Sequence, residues 1–205
     1  MALNFDSRIS AFEQLGLWLE HFLKEVENNR FTDDFNSEFQ AIIERQSREN
    51  GWFTQYNIYS SLAAIRDNLQ AESLNNLRFV YGNRIATSWQ EKIVAVVTGA
   101  FFPLVSFYDF MVVLLTGNVL QIKLHADDKL LLPKIAQKLM EIEPDFSEKI
   151  QFVDQLHDFE RVIITEENGH SEVLCQYFSK YPMFVHRRQR AAAILTGNET
   201  LTQLR

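Results

Sequence analysis

VAVVTGAFFPLVSFYDF, residues 94–110, changes from one type of secondary structure to another within a few positions. It begins as a run of apolar, mostly β-branched residues, breaks at Gly99 and continues as an apolar helix near Pro103. Such a strand–turn–helix junction holds a phosphate in many nucleotide-binding folds. Here the turn carries Phe101 and Phe102, where a glycine or polar residue usually approaches a ligand. The sequence therefore leaves open what this junction binds.

Short apolar runs separated by helices continue from this junction to the end of the chain. The predicted strands are 92–97, 119–124, 161–165 and 191–195, with 149–153 and 183–186 as further candidates, and the predicted helices are 103–115, about 131–143 and about 170–180. Strands that are apolar on both faces and alternate with helices indicate a parallel sheet that is covered on both sides. The pattern predicts an α/β fold with about five parallel strands.

Before the junction, up to about residue 82, the apolar residues recur at helical spacing. We expect four helices: one with its apolar stripe from Ile9 to Val26 and Asp6 or Ser7 as its cap, one capped by Thr32 or Asp33, one capped by Thr54, and a short one ending at Gly82. No tandem repeat or low-complexity linker separates these helices from the rest. The expected organisation is a helical N-terminal region, 1–88, packed on a second domain, 89–205.

Composition excludes several classes of protein. A chain of 205 residues that is 46% hydrophobic and 23% charged is typical of a globular domain, and its net charge of −7 disfavours a nucleic-acid partner. The one basic cluster, 186–190, is too short to change this and is predicted to be solvated. The apolar stretch 101–115 falls short of the ~20 residues that a bilayer requires. No signal peptide is apparent, and a single cysteine, Cys175, fits a reducing cytoplasm.

Candidate binding residues follow the carboxyl ends of three predicted strands, where parallel sheets bind their ligands. Gly99 permits a tight turn before a helix, Lys123 can reach a ribose hydroxyl or a phosphate, and the polar loop 165–171 leads into a helix. Each also has an ordinary structural interpretation, because glycine often follows a strand, lysine often extends to water, and polar loops often cap helices. The five histidines show no metal-ligand spacing, and Cys175 is predicted to be an inert thiol.

Together these signals resemble one family. The segments that carry the resemblance are GWFT (51–54), PLVSFYDFMVVLLTGN (103–118), KLHADDKLLLPKIAQKLMEIEPDF (123–146), FSKYP (178–182) and ILTGNET (194–200). From residue 51 onward the chain resembles the bacterial acyl-CoA reductases, members of the aldehyde dehydrogenase superfamily that make long-chain aldehydes for bioluminescence. The resemblance implies that 89–205 is a Rossmann-like NADP(H)-binding domain without a GxGxxG motif. It also implies NADPH-dependent reduction of an acyl-CoA through an acyl-cysteine intermediate.

The same resemblance implies roles for particular residues in binding NADPH. The turn near the nicotinamide and the oxyanion would be formed by Thr98, Gly99, Ala100, Phe101 and Pro103. The adenosine ribose would meet Lys123, and the pyrophosphate would lie near Thr165, Glu166 and Asn168. No catalytic residue and no metal ligand is assigned in this chain.

The sequence departs from the family at these positions. Phe101 stands where an amide side chain usually helps to hold the oxyanion, and the loss of such a donor typically costs ~10²–10³ in rate. Glu166 and Glu167 replace small residues at the pyrophosphate position and would repel the ligand. We therefore expect NADPH binding to be weak or lost.

The family's cysteine nucleophile lies in a second domain beyond the segment that matches 194–200, whereas this sequence stops at Arg205. The expectation is that the catalytic domain is absent, that acyl-CoA is used only with a complementing catalytic domain, and that uncovered apolar surface leads to self-association. The alternative is a non-catalytic relative that keeps the fold as a structural or partner-binding protein.

Overall fold

The computed structural model describes residues 3–86, 90–165 and 171–186, together with Thr200. Its N-terminal part comprises four helices, α1 (Phe5–Glu27), α2 (Asp34–Glu49), α3 (Gln55–Asn68) and α4 (Ala71–Ala86). They are followed by β1 (Ile93–Thr98), α5 (Phe107–Leu115), β2 (Val119–Lys123), α6 (Leu131–Ile142), a 3₁₀ helix (Pro144–Glu148), β3 (Ile150–Phe152), β4 (Arg161–Thr165), α7 (Ser171–Tyr177) and β5 (Met183–His186). None of the helices in these ranges is long and apolar enough to cross a membrane.

The five strands form one sheet in the order β3-β2-β1-β4-β5, and every neighbouring pair is parallel. The chain moves outward from β1 through β2 to β3 and then returns to the other side of β1. The strand order therefore reverses between β1 and β4, which makes the carboxyl ends of these two strands a topological switch point. The predicted parallel α/β sheet is confirmed, including the strand candidates near 150 and 184.

Apolar side chains cover both faces of the sheet. The larger core joins α1, α2 and α3 to α5, α6 and one face of β1, β2 and β3, so the N-terminal helices pack on the sheet. Phe12 of α1 contacts Phe110 and Phe146 edge to face, with ring centroids 6.4 and 5.9 Å apart. On the opposite face, α7 and the segment before β4 cover a smaller core that includes Val162 and Phe178. Fully buried phenylalanine side chains thus fill much of the larger core.

The observed ends of the N-terminal helices agree with the predicted ones at two positions and differ from them at two. Asp33 and Thr54 cap α2 and α3 as predicted. The cap of α1, however, is Asn4, whose side chain accepts a hydrogen bond from the Ser7 backbone at 2.8 Å. Gly82 does not end α4, which continues to Ala86. A glycine within a helix costs only about 1 kcal/mol, so a helix can run through it.

The predicted helix 103–115 begins only at Phe107. Pro103 instead belongs to the turn before α5, and the next residue, Leu104, adopts a left-handed conformation with φ +59°. The Leu104 carbonyl accepts a hydrogen bond from the Phe107 backbone at 2.9 Å, so the chain reverses once before the helix starts. The prediction that Pro103 lies in the first helical turn is therefore wrong. The predicted strand 191–195 lies outside the described residues.

Candidate functional site

Three polar residues lie side by side at the carboxyl edge of the sheet, on both sides of the switch point. Thr98 ends β1 and is the register partner of Thr165, which ends β4, and Thr165 is in turn the partner of His186 at the end of β5. Register partners in neighbouring strands project to the same face of a sheet. The sheet therefore presents a polar row at the edge where parallel α/β folds bind ligands.

Asp109, in the first turn of α5, joins two members of this row. Its Oδ2 accepts a hydrogen bond from the Thr165 hydroxyl at 2.7 Å, and its Oδ1 lies 2.8 Å from His186 Nε2. Asp109 is buried, and both of its carboxylate oxygens have a partner. The His186 side chain is 45% exposed, so the pair can hold an imidazole at the surface in a fixed orientation. The Thr165 hydroxyl, by contrast, is already engaged inside the protein.

Thr98 is also engaged. Its Oγ1 accepts a hydrogen bond from the backbone N–H of His125 at 2.8 Å, which ties the end of β1 to the loop that follows β2. In the same loop the Asp127 N–H donates to His125 Nδ1 at 3.2 Å. These contacts order the loop and hold the Thr98 hydroxyl group in place at the end of β1.

A buried carboxylate fixes the segment between β1 and α5. Asp128 Oδ2 accepts a hydrogen bond from the backbone N–H of Leu104 at 3.2 Å, at the residue with the left-handed conformation. Asp128 Oδ1 is buried and has no hydrogen-bond partner in the described part of the chain. Burial raises the pKa of Asp128 to about 7, and the hydrogen bond from Leu104 opposes this only in part. Asp128 thus connects the loop that follows β2 to the loop that follows β1.

The turn that sequence reasoning assigned to the ligand is mostly closed. Gly99 and Pro103 are buried and Ala100 is partly buried. Phe101 and Phe102 contact each other edge to face with centroids 4.9 Å apart, and Phe102 is 45% exposed. Because α5 starts at Phe107, the N–H groups of its first turn do not lie at residues 99–103. The turn presents an aromatic ring to solvent where a nucleotide site would present donors.

Lys123 remains accessible. It is the last residue of β2, it is exposed, and its register partner in β1 is Val97. Its position at the carboxyl edge agrees with the predicted one. Glu166 and Asn168, the other residues assigned to the pyrophosphate, and the neighbouring Glu167 lie outside the described residues.

Sequence reasoning missed the residues that organise this edge. Asp109 is the only charged residue in the apolar stretch 101–115, and this could have identified it as a buried, partnered carboxylate. His186 ends a strand candidate, but it was grouped with the basic cluster and predicted to be solvated. Asp128 is buried, although nothing in its local sequence indicates this. Cys175 is partly buried and packs against the smaller core, and the inertness of its thiol stays a prediction.

Within 3–86, 90–165 and 171–186, no group of three or more histidine, cysteine or acidic side chains is placed to hold a metal ion. Comparison of the chain with models of protein families, with curated proteins and with solved structures returns no match in any of the three.

Proposed function

We propose that this chain is the cofactor-binding portion of an acyl-CoA reductase, with a Rossmann-like domain that does not reduce acyl-CoA on its own. The observation that carries this proposal is the strand order β3-β2-β1-β4-β5 of a parallel sheet, the order typical of dinucleotide-binding domains. It puts Gly99 and Thr165 at the switch point and Lys123 on the strand beside it. The segments that resemble the family supply the identity of the reaction.

The residues at this edge fit NADPH poorly. The Thr165 hydroxyl donates to Asp109 and is therefore not free to donate to a phosphate, and the Thr98 hydroxyl is held by the backbone N–H of His125. Lys123 supplies one positive charge, whereas a pyrophosphate is held best by several converging donors. We therefore propose that NADPH binds with a dissociation constant weaker than ~1 mM, equivalent to about −4 kcal/mol.

The described residues also do not supply the groups that acyl transfer requires. The single thiol of the chain, Cys175, packs against an apolar core, and a reactive thiol needs a base or a positive environment. Phe101 cannot donate a hydrogen bond to an oxyanion. Reduction of acyl-CoA to aldehyde therefore requires a complementing domain that carries a cysteine nucleophile.

Calorimetric titration of the purified chain with NADPH tests the proposal. We expect heats too small for a micromolar site, and the same result for Lys123→Ala. The control is Lys180→Ala, which removes an exposed lysine from the turn after α7. Micromolar binding that Lys123→Ala abolishes and Lys180→Ala preserves would show that the site is intact.

A second candidate function is partner binding by a non-catalytic relative. One observation favours it: α4 exposes three consecutive apolar or aromatic residues, Phe79, Val80 and Tyr81, and Phe79 is 88% exposed. Exposed apolar patches of this kind mark protein–protein contacts. A reductase assay after addition of a cysteine-bearing catalytic domain distinguishes the two candidates, because only the first regains activity.

A further inference from the structure

A cavity of about 310 Å³ lies at the amino edge of the sheet, opposite to the candidate site. Its wall includes one residue within two positions of the start of each of three strands: Glu91 before β1, Asn118 before β2 and Lys149 before β3. Arg8 of α1 also lines it. The volume is at the lower end of the range of ligand pockets, about 300–1,000 Å³, so it suits a small ligand.

The Arg8 guanidinium has more hydrogen-bond donors than partners. Its Nη1 donates to the Leu3 carbonyl at 2.7 Å, and its carbon lies 5.8 Å from the centre of the Phe5 ring. Its Nε is buried and has no partner within the described residues. A guanidinium carries five N–H donors, and a buried donor left unpaired is unfavourable. A ligand in the cavity cannot reach this buried Nε, but Nη2 is not buried and forms no hydrogen bond with the described residues, so the Nη groups can donate to an acceptor in the cavity.

The nearby end of α5 does not use these donors. Its last carbonyls accept hydrogen bonds from the backbone of the turn that follows: Thr116 donates to Val112 at 3.0 Å and Gly117 donates to Leu114 at 3.0 Å. Gly117 has φ +80°, and a Cβ at this position would lie 2.5 Å from Arg8 Nη1. The turn therefore leaves room for the guanidinium without engaging it.

Charge and lining define the class of ligand. Lys149 forms an ion pair with Glu91, so these two charges cancel and the positive charge of Arg8 is left over. The buried side chains of Leu114 and Phe146 add apolar wall. We propose that this cavity binds a small monocarboxylate with a short aliphatic tail, whose two oxygens accept hydrogen bonds from Arg8. A monoanion matches the single uncompensated charge, and the fork of a guanidinium matches a carboxylate. The proposal is independent of NADPH binding at the other edge.

Calorimetric titration with butyrate at low ionic strength tests the site. We expect saturable binding with a dissociation constant of about 1 mM or tighter. Arg8→Gln should weaken it at least tenfold, because it removes the charge and the fork. The control Arg66→Gln removes an arginine on α3 that pairs with Asp67 and should leave binding unchanged. Inorganic phosphate is titrated in parallel.

A second measurement needs no variant at the site. In the wild-type protein, the Nε–H resonance of one arginine should shift on addition of butyrate, because a carboxylate bound at the Nη groups of Arg8 changes the environment of the same guanidinium. Three results would overturn the proposal: no saturable binding at about 20 mM butyrate, equal binding by wild type and Arg8→Gln, or tighter binding of phosphate than of butyrate. Loss of NADPH binding has no bearing on any of them.

Discussion

Asp128 links a buried charge to the backbone conformation of its neighbour. A left-handed conformation costs a leucine roughly 1–2 kcal/mol, and the Leu104 N–H in this conformation points to the Asp128 carboxylate. The carboxylate is buried with one oxygen unpartnered, so its ionised form is disfavoured in the folded protein. The protonated form at Asp128 fits this environment better than the ionised one.

This arrangement gives a pH dependence with a definite sign. The pKa of Asp128 is raised from 3.8 to about 7, so the folded state retains a proton that the unfolded state releases. Its contribution to stability is full below pH 4 and is lost as the pH rises to about 7. As the pH rises from 5 to 8, the unfolding free energy of the wild type should fall by about 2–3 kcal/mol relative to that of Asp128→Asn. Urea unfolding at both pH values measures this difference.

The control for this prediction is Asp154→Asn, which makes the same change of net charge at an exposed position. Any effect of overall charge appears in both variants. If the two variants show the same pH dependence relative to wild type, the contribution does not come from burial of Asp128.

Thr165 is expected to be structural. Its hydroxyl donates to Asp109 in the interior, and removal of the donor leaves a buried carboxylate oxygen unpaired. Thr165→Val should therefore lower the unfolding free energy by about 1–3 kcal/mol, whereas Thr165→Ser keeps the hydroxyl and should cost less. Chemical denaturation of both variants distinguishes the two costs. Equal losses would mean that the methyl group, and not the hydrogen bond, matters here.

The elements themselves follow from periodicity, but the start of α5 does not. The apolar residues of 103–115 and Pro103 are compatible with a helix that begins at the proline. The helix starts later because the Leu104 N–H donates a hydrogen bond to Asp128, which lies 24 residues away in the sequence. Local pattern contains no information about such a contact. The same limit applies to Asp109, whose partners are on β4 and β5.

The turn between α5 and β2 allows a prediction about the stability cost of a side chain at Gly117. Gly117 has a positive φ, and any side chain there would also meet the Arg8 guanidinium. Gly117→Ala should cost about 1–2 kcal/mol from the backbone alone, and more from the clash. In an Arg8→Ala background only the backbone cost should remain. Thermal unfolding of the single and double variants tests this, and an equal cost in both backgrounds would contradict the clash.

For the molecule as a whole, alternation of helices and apolar strands was sufficient to predict a parallel sheet with helices on both faces. Placement of Thr98, Lys123 and Thr165 at its carboxyl edge followed from the rule that strand ends share an edge. The hydrogen bonds of the Thr98 and Thr165 hydroxyl groups could not be predicted, because the partner of each lies in another part of the fold. A sequence motif locates such groups, but only the packed structure determines whether they are free.

Self-association is the prediction that depends on the entire surface. Leu74 of α4 is buried, whereas Phe79, Val80 and Tyr81 face solvent. Burial of such aromatic side chains removes 150–250 Å² each from water, which is a strong drive toward association. Light scattering at high protein concentration should give a mass above that of the 24.0 kDa monomer. The double variant Phe79→Ser, Tyr81→Ser should lower it, while Tyr56→Ser, at an exposed tyrosine on α3, should not. A wild-type protein that remains monomeric would show that the α4 surface is compatible with water.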